Sequence, residues 1–220
     1  GHSLLALQLV GKIHHELNIE ITLRDLFYHP TLAEFAEVAR NARETMLGAI
    51  VPIDRKQALP LSFSQQRLWF VDQLDHGEGS AYHMPAALDM RGELNRAALQ
   101  AALDGVMARH EALRTTFVEV DGQPVQRFAP ADCGFAISDT DLTTLSEAER
   151  EQRVAQMTQE EAAAPFNLAK GPLIRAQLLH LAPNNWRLLV TQHHIISDGW
   201  SIGILLREIS TLYAAFCQNQ

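Results

Sequence analysis

Cysteine is scarce in this 220-residue chain: Cys133 and Cys217 are the two present, far apart and without the paired spacing of a zinc site or a disulfide framework. Two reduced thiols are therefore expected, in a cytoplasmic protein. Positive charge is also short, with 18 Lys and Arg against 26 Asp and Glu and a formal net charge of −8. No basic stripe is present to track a phosphate backbone, which excludes nucleic acid as a partner. No apolar run approaches the ~20 residues of a membrane-spanning helix, and no secretory signal opens the chain. Internal repeats and low-complexity tracts are missing too. What is plentiful is apolar side chain, 47% of residues, enough for a packed core in one large domain or two small ones. The chain opens at Gly1-His2-Ser3 without an initiator Met and stops just after a helical pattern, and so reads as an excerpt of something longer.

Ser3 precedes Leu5, Leu9, Ile13 and Leu17, an i+4 apolar stripe that predicts an amphipathic helix with a hydroxyl at its N-cap. Thr22 to Phe27 fits a short second helix. Thr31-Leu32-Ala33-Glu34, just after Pro30, is a capping box opening a third that runs to about Arg43. Residues 1–45 are thus expected to be all helical, and 46–58, where periodicity fades around Pro52, to be a linker. Beyond it the pattern mixes helix and strand: a helix over 64–73, a strand over 82–91, and a helix over 95–110 capped by Asn95. Strands at 113–120 and 124–128 flank the hairpin signal Asp121-Gly122. Ser146 with Glu149 opens a polar helix that Pro165 stops, and strands at 174–181 and 186–193 turn at Pro183-Asn184-Asn185. Strands interspersed with helices make an α/β (mixed) sheet domain.

The last of these strands runs into His193-His194-Ile195-Ile196-Ser197-Asp198-Gly199-Trp200, two imidazoles, a carboxylate and a glycine on a strand-to-helix turn. Imidazole is the side chain best suited to move a proton near neutral pH, and His193, His194, Asp198 and Gly199 form the candidate catalytic set. Strand-end packing is the bland alternative for the pair. Successive strand residues face opposite ways, so one histidine can face a cleft while the other packs inward, and the two cannot easily converge on a metal. Neither His14-His15-Glu16 nor His110-Glu111 continues into HExxH, so no metal site is expected. Asp198 is either an orienting carboxylate for the histidine or the anchor of the following helix. Gly199 permits a tight turn or a close substrate approach. Arg67, Trp69, Arg109 and Arg114 are read as structural.

His-His-Ile-Ile-Ser-Asp-Gly resembles the HHxxxDG signature of condensation domains of non-ribosomal peptide synthetases, relatives of the chloramphenicol acetyltransferase type of acyltransferase. Leu61-Ser62-Phe63-Ser64-Gln65-Gln66-Arg67-Leu68-Trp69-Phe70 is similar to the first family motif, and Arg109-His110-Glu111-Ala112-Leu113-Arg114-Thr115-Thr116-Phe117 to the second. Pro165-Phe166-Asn167-Leu168 with Gly171-Pro172-Leu173 resembles a further block. At the other end Gly1-His2-Ser3-Leu4-Leu5 resembles the carrier-domain motif GGHSLLA without its first glycine.

The resemblance implies a carrier-domain remnant at 1–45 without its first helix, a linker at 46–58, and the N-terminal lobe of a chloramphenicol-acetyltransferase-like domain at 59–220. It further implies that His194 faces the reaction centre, that Asp198 pairs with an arginine outside this chain, and that Ser3 carries a covalent 4′-phosphopantetheine. The implied reaction is amide formation between a donor acyl or peptidyl thioester, L-configured because the carrier directly precedes the condensation segment, and an acceptor aminoacyl thioester. The implied partners are those pantetheine-tethered thioesters, neighbouring carrier and adenylation domains, and a phosphopantetheinyl transferase, within an antibiotic or other secondary-metabolite assembly line. This stretch alone is expected to be inactive. The rivals are an acyl-CoA-dependent acyltransferase of the same superfamily and a non-catalytic docking module, and whether His194 acts as base or positions the amine stays open.

Overall fold

The computed structural model describes residues 3–44, 51–55, 57–74 and 79–218. Contacts divide the chain into two units, Gly1–Asp54 and Arg55–Gln220.

The first unit consists of α1 (Ser3–Leu17), α2 (Leu23–Tyr28) and α3 (Leu32–Asn41). Thr22 and Asp25 form a reciprocal capping box at α2, as Thr31 and Glu34 do at α3, each satisfying two backbone N–H groups that the helix leaves open. The α1 stripe is not the inward face. Leu5, Leu9 and Leu17 are exposed and Val10 is buried, together with Ile21 and Phe35. A strict i+4 spacing drifts round an α-helix, by about 120° over the three steps from Leu5 to Leu17, so it cannot stay on one side. His14 Nε2 meets both the amide of Ile21, at 2.9 Å, and its carbonyl, at 2.8 Å, tying α1 to the segment before α2. Ser3 is the first residue of α1; its side chain, and so the expected N-cap hydrogen bond, lies outside the described residues, as do Gly1, His2, 45–50 of the expected linker and Lys56.

The second unit holds β1 (Leu59–Pro60), α4 (Phe63–Leu74), β2 (His83–Arg91), α5 (Arg96–Arg109), a 3-10 turn at Glu111–Arg114, β3 (Thr115–Val120), β4 (Gln123–Phe128), β5 (Ile137–Asp141), α6 (Glu147–Ala163), β6 (Ile174–Ala182), β7 (Asn185–His193) and α7 (Gly199–Cys217). One sheet has the order β1-β4-β3 and the other β2-β7-β6-β5. All pairings are antiparallel except β5 with β6, which α6 joins as a parallel pair. Leu188, Leu178 and Ile174 face a core with Leu99, Leu103 and Val106 of α5, against which Leu205, Ile209 and Leu212 of α7 pack. Leu189 and Leu179 face the other side, with Val154 and Met157 of α6. A strand apolar on both faces therefore has both faces covered, as expected of a layered sheet.

The β3–β4 hairpin turns at Asp121 (φ 52°) and Gly122 (φ 75°), the pair of left-handed residues that a two-residue turn requires. Asn184 (φ 58°) serves the β6–β7 turn. Residues 113–114, expected in a strand, belong instead to the 3-10 turn, where the Leu113 amide donates to the His110 carbonyl at 3.1 Å and the Thr115 hydroxyl to that of Glu111 at 2.6 Å.

Candidate functional site

The end of β7 is clamped from both sides. The His193 amide donates to the Leu173 carbonyl before β6 at 2.9 Å, and the His194 amide to the Tyr82 carbonyl before β2 at 2.8 Å. Past that point the chain turns, with the Ile196 amide bonded to the His193 carbonyl at 3.1 Å, and enters α7. The two imidazoles part here. His193 is 3% exposed, whereas His194 is exposed.

His193 packs against Phe166 (ring centroids 6.0 Å, nearly perpendicular), His83 (6.0 Å) and Tyr82 (6.4 Å). Its Nδ1 accepts the Ile195 amide at 3.1 Å, so the ring proton sits on Nε2. Burial, reinforced by the nearby His83 and His194, pushes its pKa down from 6.5 to about 4, and the ring is neutral at physiological pH. Around it, His83 Nδ1 donates to the Ala162 carbonyl at 2.9 Å, and the Arg175 guanidinium stacks on Phe166 at 4.0 Å while bonding Glu161 at 2.7 Å.

His194 Nδ1 lies 2.7 Å from the Ser197 carbonyl oxygen. A carbonyl only accepts, so Nδ1 carries the proton, and the neutral ring keeps its lone pair on Nε2. This is the tautomer of a proton acceptor held by a backbone group.

Asp198 caps α7: its Oδ1 accepts from the Ser201 amide at 2.8 Å and the Ser201 hydroxyl at 2.6 Å. Those bonds, from the Ser201 hydroxyl and amide, hold its carboxyl below the usual carboxylate range. Of the two readings from sequence, the helix anchor is the one built, because the partner of His194 Nδ1 is Ser197 and not Asp198. No arginine or lysine reaches Asp198 among the described residues. Gly199 opens α7 without a left-handed φ, and a Cβ there would meet nothing within 4 Å, so neither a tight turn nor internal packing calls for glycine. Arg67 is exposed, Trp69 packs on the core, Arg109 lies 3.6 Å from Glu208, and Arg114 is mostly buried.

Among the described residues no three His, Cys, Asp or Glu side chains are grouped to hold a metal ion, and no helix is long and apolar enough to cross a membrane. The start of α1 suits a phosphodiester: a 15-residue helix with no acidic residue in its first turn places its positive dipole end at Ser3. The Ser197, Tyr82 and Leu173 carbonyls carry no residue-type signal in sequence. His83 had none either, since its role depends on strand pairing opposite His193.

Residues 55–220 match the family model described as condensation domain, and residues 1–39 the model described as phosphopantetheine attachment site. Malpinin synthetase of Mortierella alpina is 44% identical over 223 residues, covering all of this chain and 3% of that protein. Malpibaldin synthetase of the same organism is 43% identical over 219 residues, covering 98% of this chain and 4% of its own length. The chain thus spans only a few per cent of these curated relatives. The crystal structure of the starter condensation domain of rhizomide synthetase RzmA aligns with a TM-score of 0.67 at 26% identity, over 74% of this chain and 38% of that one. The first condensation domain of the calcium-dependent antibiotic synthetase shares the fold at 21% identity, with a TM-score of 0.67 over 76% and 40%. The expected mixed α/β, chloramphenicol-acetyltransferase-like architecture is the one observed. With its family model matched across the whole sheet unit, this chain belongs to the condensation-domain family, preceded by a phosphopantetheine-attachment segment, as in non-ribosomal peptide synthetases.

Proposed function

We propose that His194 serves amide-bond formation, and the observation that carries this is its exposed ring, fixed through Nδ1 to the Ser197 carbonyl so that Nε2 can accept a proton. The acceptor amine forms a C–N bond to the donor thioester carbonyl carbon, its surplus proton passes to Nε2, the C–S bond breaks, and the departing thiolate takes the proton. His193 stays neutral and buried and supports the turn, and Asp198 holds the start of α7. Gly199 leaves open space beside them. Ser3 is the residue that would hold 4′-phosphopantetheine, which when bound supplies the thioester-bearing thiol. The direct order of attachment segment and condensation segment supports an L-configured donor.

The partners that follow are neighbouring carrier and adenylation domains and a phosphopantetheinyl transferase, with 1–45, 46–58 and 59–220 as carrier, linker and condensation segments. A cytoplasmic location fits the two free, exposed thiols. A coenzyme A-dependent acyl transfer is the rival, and the attachment-site match at residues 1–39 speaks for the carrier-borne reaction. The test is condensation in the full-length protein, with donor and acceptor carriers loaded and dipeptidyl thioester followed by mass spectrometry. His194→Ala is expected to abolish product while loading continues. Undiminished product removes His194 from the reaction.

A further inference from the structure

The sheet unit contains a cleft of about 510 Å³ between α5, the start of β3, the loop 129–136 and the turn at Gly171-Pro172. None of residues 193–199 lines it. Its walls are largely apolar, with Met107, Leu113 and Phe135, and its charged lining residues are two cations, Arg114 and Lys170, and one carboxylate, Asp104. Clefts of this volume, apolar with a few polar groups, are the usual form of a small-molecule site.

The charges do not balance within the protein. The Arg114 side chain is 12% exposed, its Nη1 donates to the Ala129 carbonyl at 2.5 Å, and its buried Nε has no partner among the described residues. The acidic group beside it, Glu111, lies 3.9 Å from Nη2, beyond hydrogen-bond reach, and is engaged by Arg55 at 2.8 Å. Asp104 is committed elsewhere, its Oδ1 accepting from the Gln100 amide group at 2.9 Å and the Phe135 backbone amide at 2.7 Å. No acidic side chain reaches Lys170 among the described residues. A mostly buried guanidinium with so little compensation is stabilised by an anion. The cleft is also shaped by backbone. Gly134 (φ +72°) and Gly171 (φ +60°) both line it, and a Cβ on Gly171 would stand 2.8 Å from Thr116 Cγ2.

We infer that this cleft binds an organic carboxylate with an apolar body, its head at Arg114 and Lys170 and its tail along Met107, Leu113 and Phe135. The site is separate from residues 193–199, although Leu113–Thr116 and Gly171-Pro172 of the other family blocks line it, and it does not depend on the role of His194. Octanoate is the probe in the full-length protein, with octanol and octylamine as uncharged and cationic counterparts. Occupancy is read by peptide-resolved alkylation of Cys133, which lines the cleft, against Cys217, which does not; both are exposed.

Octanoate is expected to protect Cys133 saturably and leave Cys217 unchanged, with neither counterpart doing so. Lys170→Glu is expected to weaken protection by about tenfold or more, equivalent to a loss of roughly 1.4 kcal/mol. Ala136→Trp, filling the cleft from an exposed lining position, is expected to abolish it. Both variants should condense loaded carriers at the wild-type rate, which reports their folding. Equal protection by octanol, no saturable protection by octanoate, or unchanged affinity in both variants overturns the inference.

Discussion

The two units are stabilised at different ranges of sequence. Among the described side chains of the first unit the buried apolar ones are Val10, Ile21 and Phe35, and the hydrogen bonds that shape α2 and α3 join residues three apart. In the sheet unit Leu173, Leu178 and Leu179 are fully buried, and the β6–β7 hairpin that carries or adjoins them is flanked by β2 and β5, which lie far away in sequence. Local capping can define helices but contributes about 1 kcal/mol per cap, whereas a buried core side chain contributes several times that. The site proposed for the chemistry follows the stronger arrangement: His193 and His194 are placed by contacts from the ends of β2 and β6, which lie in different parts of the chain.

The harshest way to break this contrast is a core truncation. Phe117→Ala, at a residue 1% exposed, should cost the sheet unit about 3–5 kcal/mol while hydrogen exchange in α2 and α3 stays as it was. Equal loss of protection in both units would show that they unfold together.

A smaller effect comes from acid. His193 has a folded-state pKa of about 4 against 6.5 unfolded, so between those values the unfolded chain binds the proton and the folded one does not. Stability of the sheet unit should be intact above pH 6.5, fall as pH drops towards 4 by about 3 kcal/mol in all, and then level off in this contribution. Urea titrations across that range should show the slope, and His193→Asn should flatten it.

Next in size is the helical unit, where Thr31→Ala removes a capping box and should cost about 1 kcal/mol, visible as faster amide exchange at the start of α3 with the sheet unchanged. The smallest stability effect is expected at Gly199→Ala, within about 0.5 kcal/mol, because the backbone there is not left-handed and the added Cβ meets open space. A slower condensation without a stability change would show that substrate uses that space.

Features governed by neighbours in sequence could be read from it. The capping boxes at Thr31 and Ser146, the Asn95 cap, and the Asp121-Gly122 hairpin depend on residues one to four apart. At Thr22, where only a short helix is expected from sequence, the box has the same local basis. β5 escaped because Ile137–Asp141 is mostly polar and becomes a strand only by lying parallel beside β6 at the sheet edge. The two-residue β1 is likewise a product of its pairing with β4. At the site, the alternation of strand faces anticipated that one histidine would be inward and one outward. That the outward ring is held by a main-chain carbonyl follows from the detailed course of the turn, which no residue identity encodes, whereas the helix anchor at Asp198 is one of the two readings its residue type allows.

The clamp at the end of β7 also acts as a selector. A strand repeats every two residues, so sliding β7 by a single position against β2 and β6 would exchange the fates of the adjacent imidazoles, exposing His193 and burying His194. Nothing in the pair His193-His194 itself distinguishes first from second. Which imidazole is exposed, and so which one is proposed as the proton acceptor, is therefore a property of strand register, fixed by the apolar residues of β6 and β7.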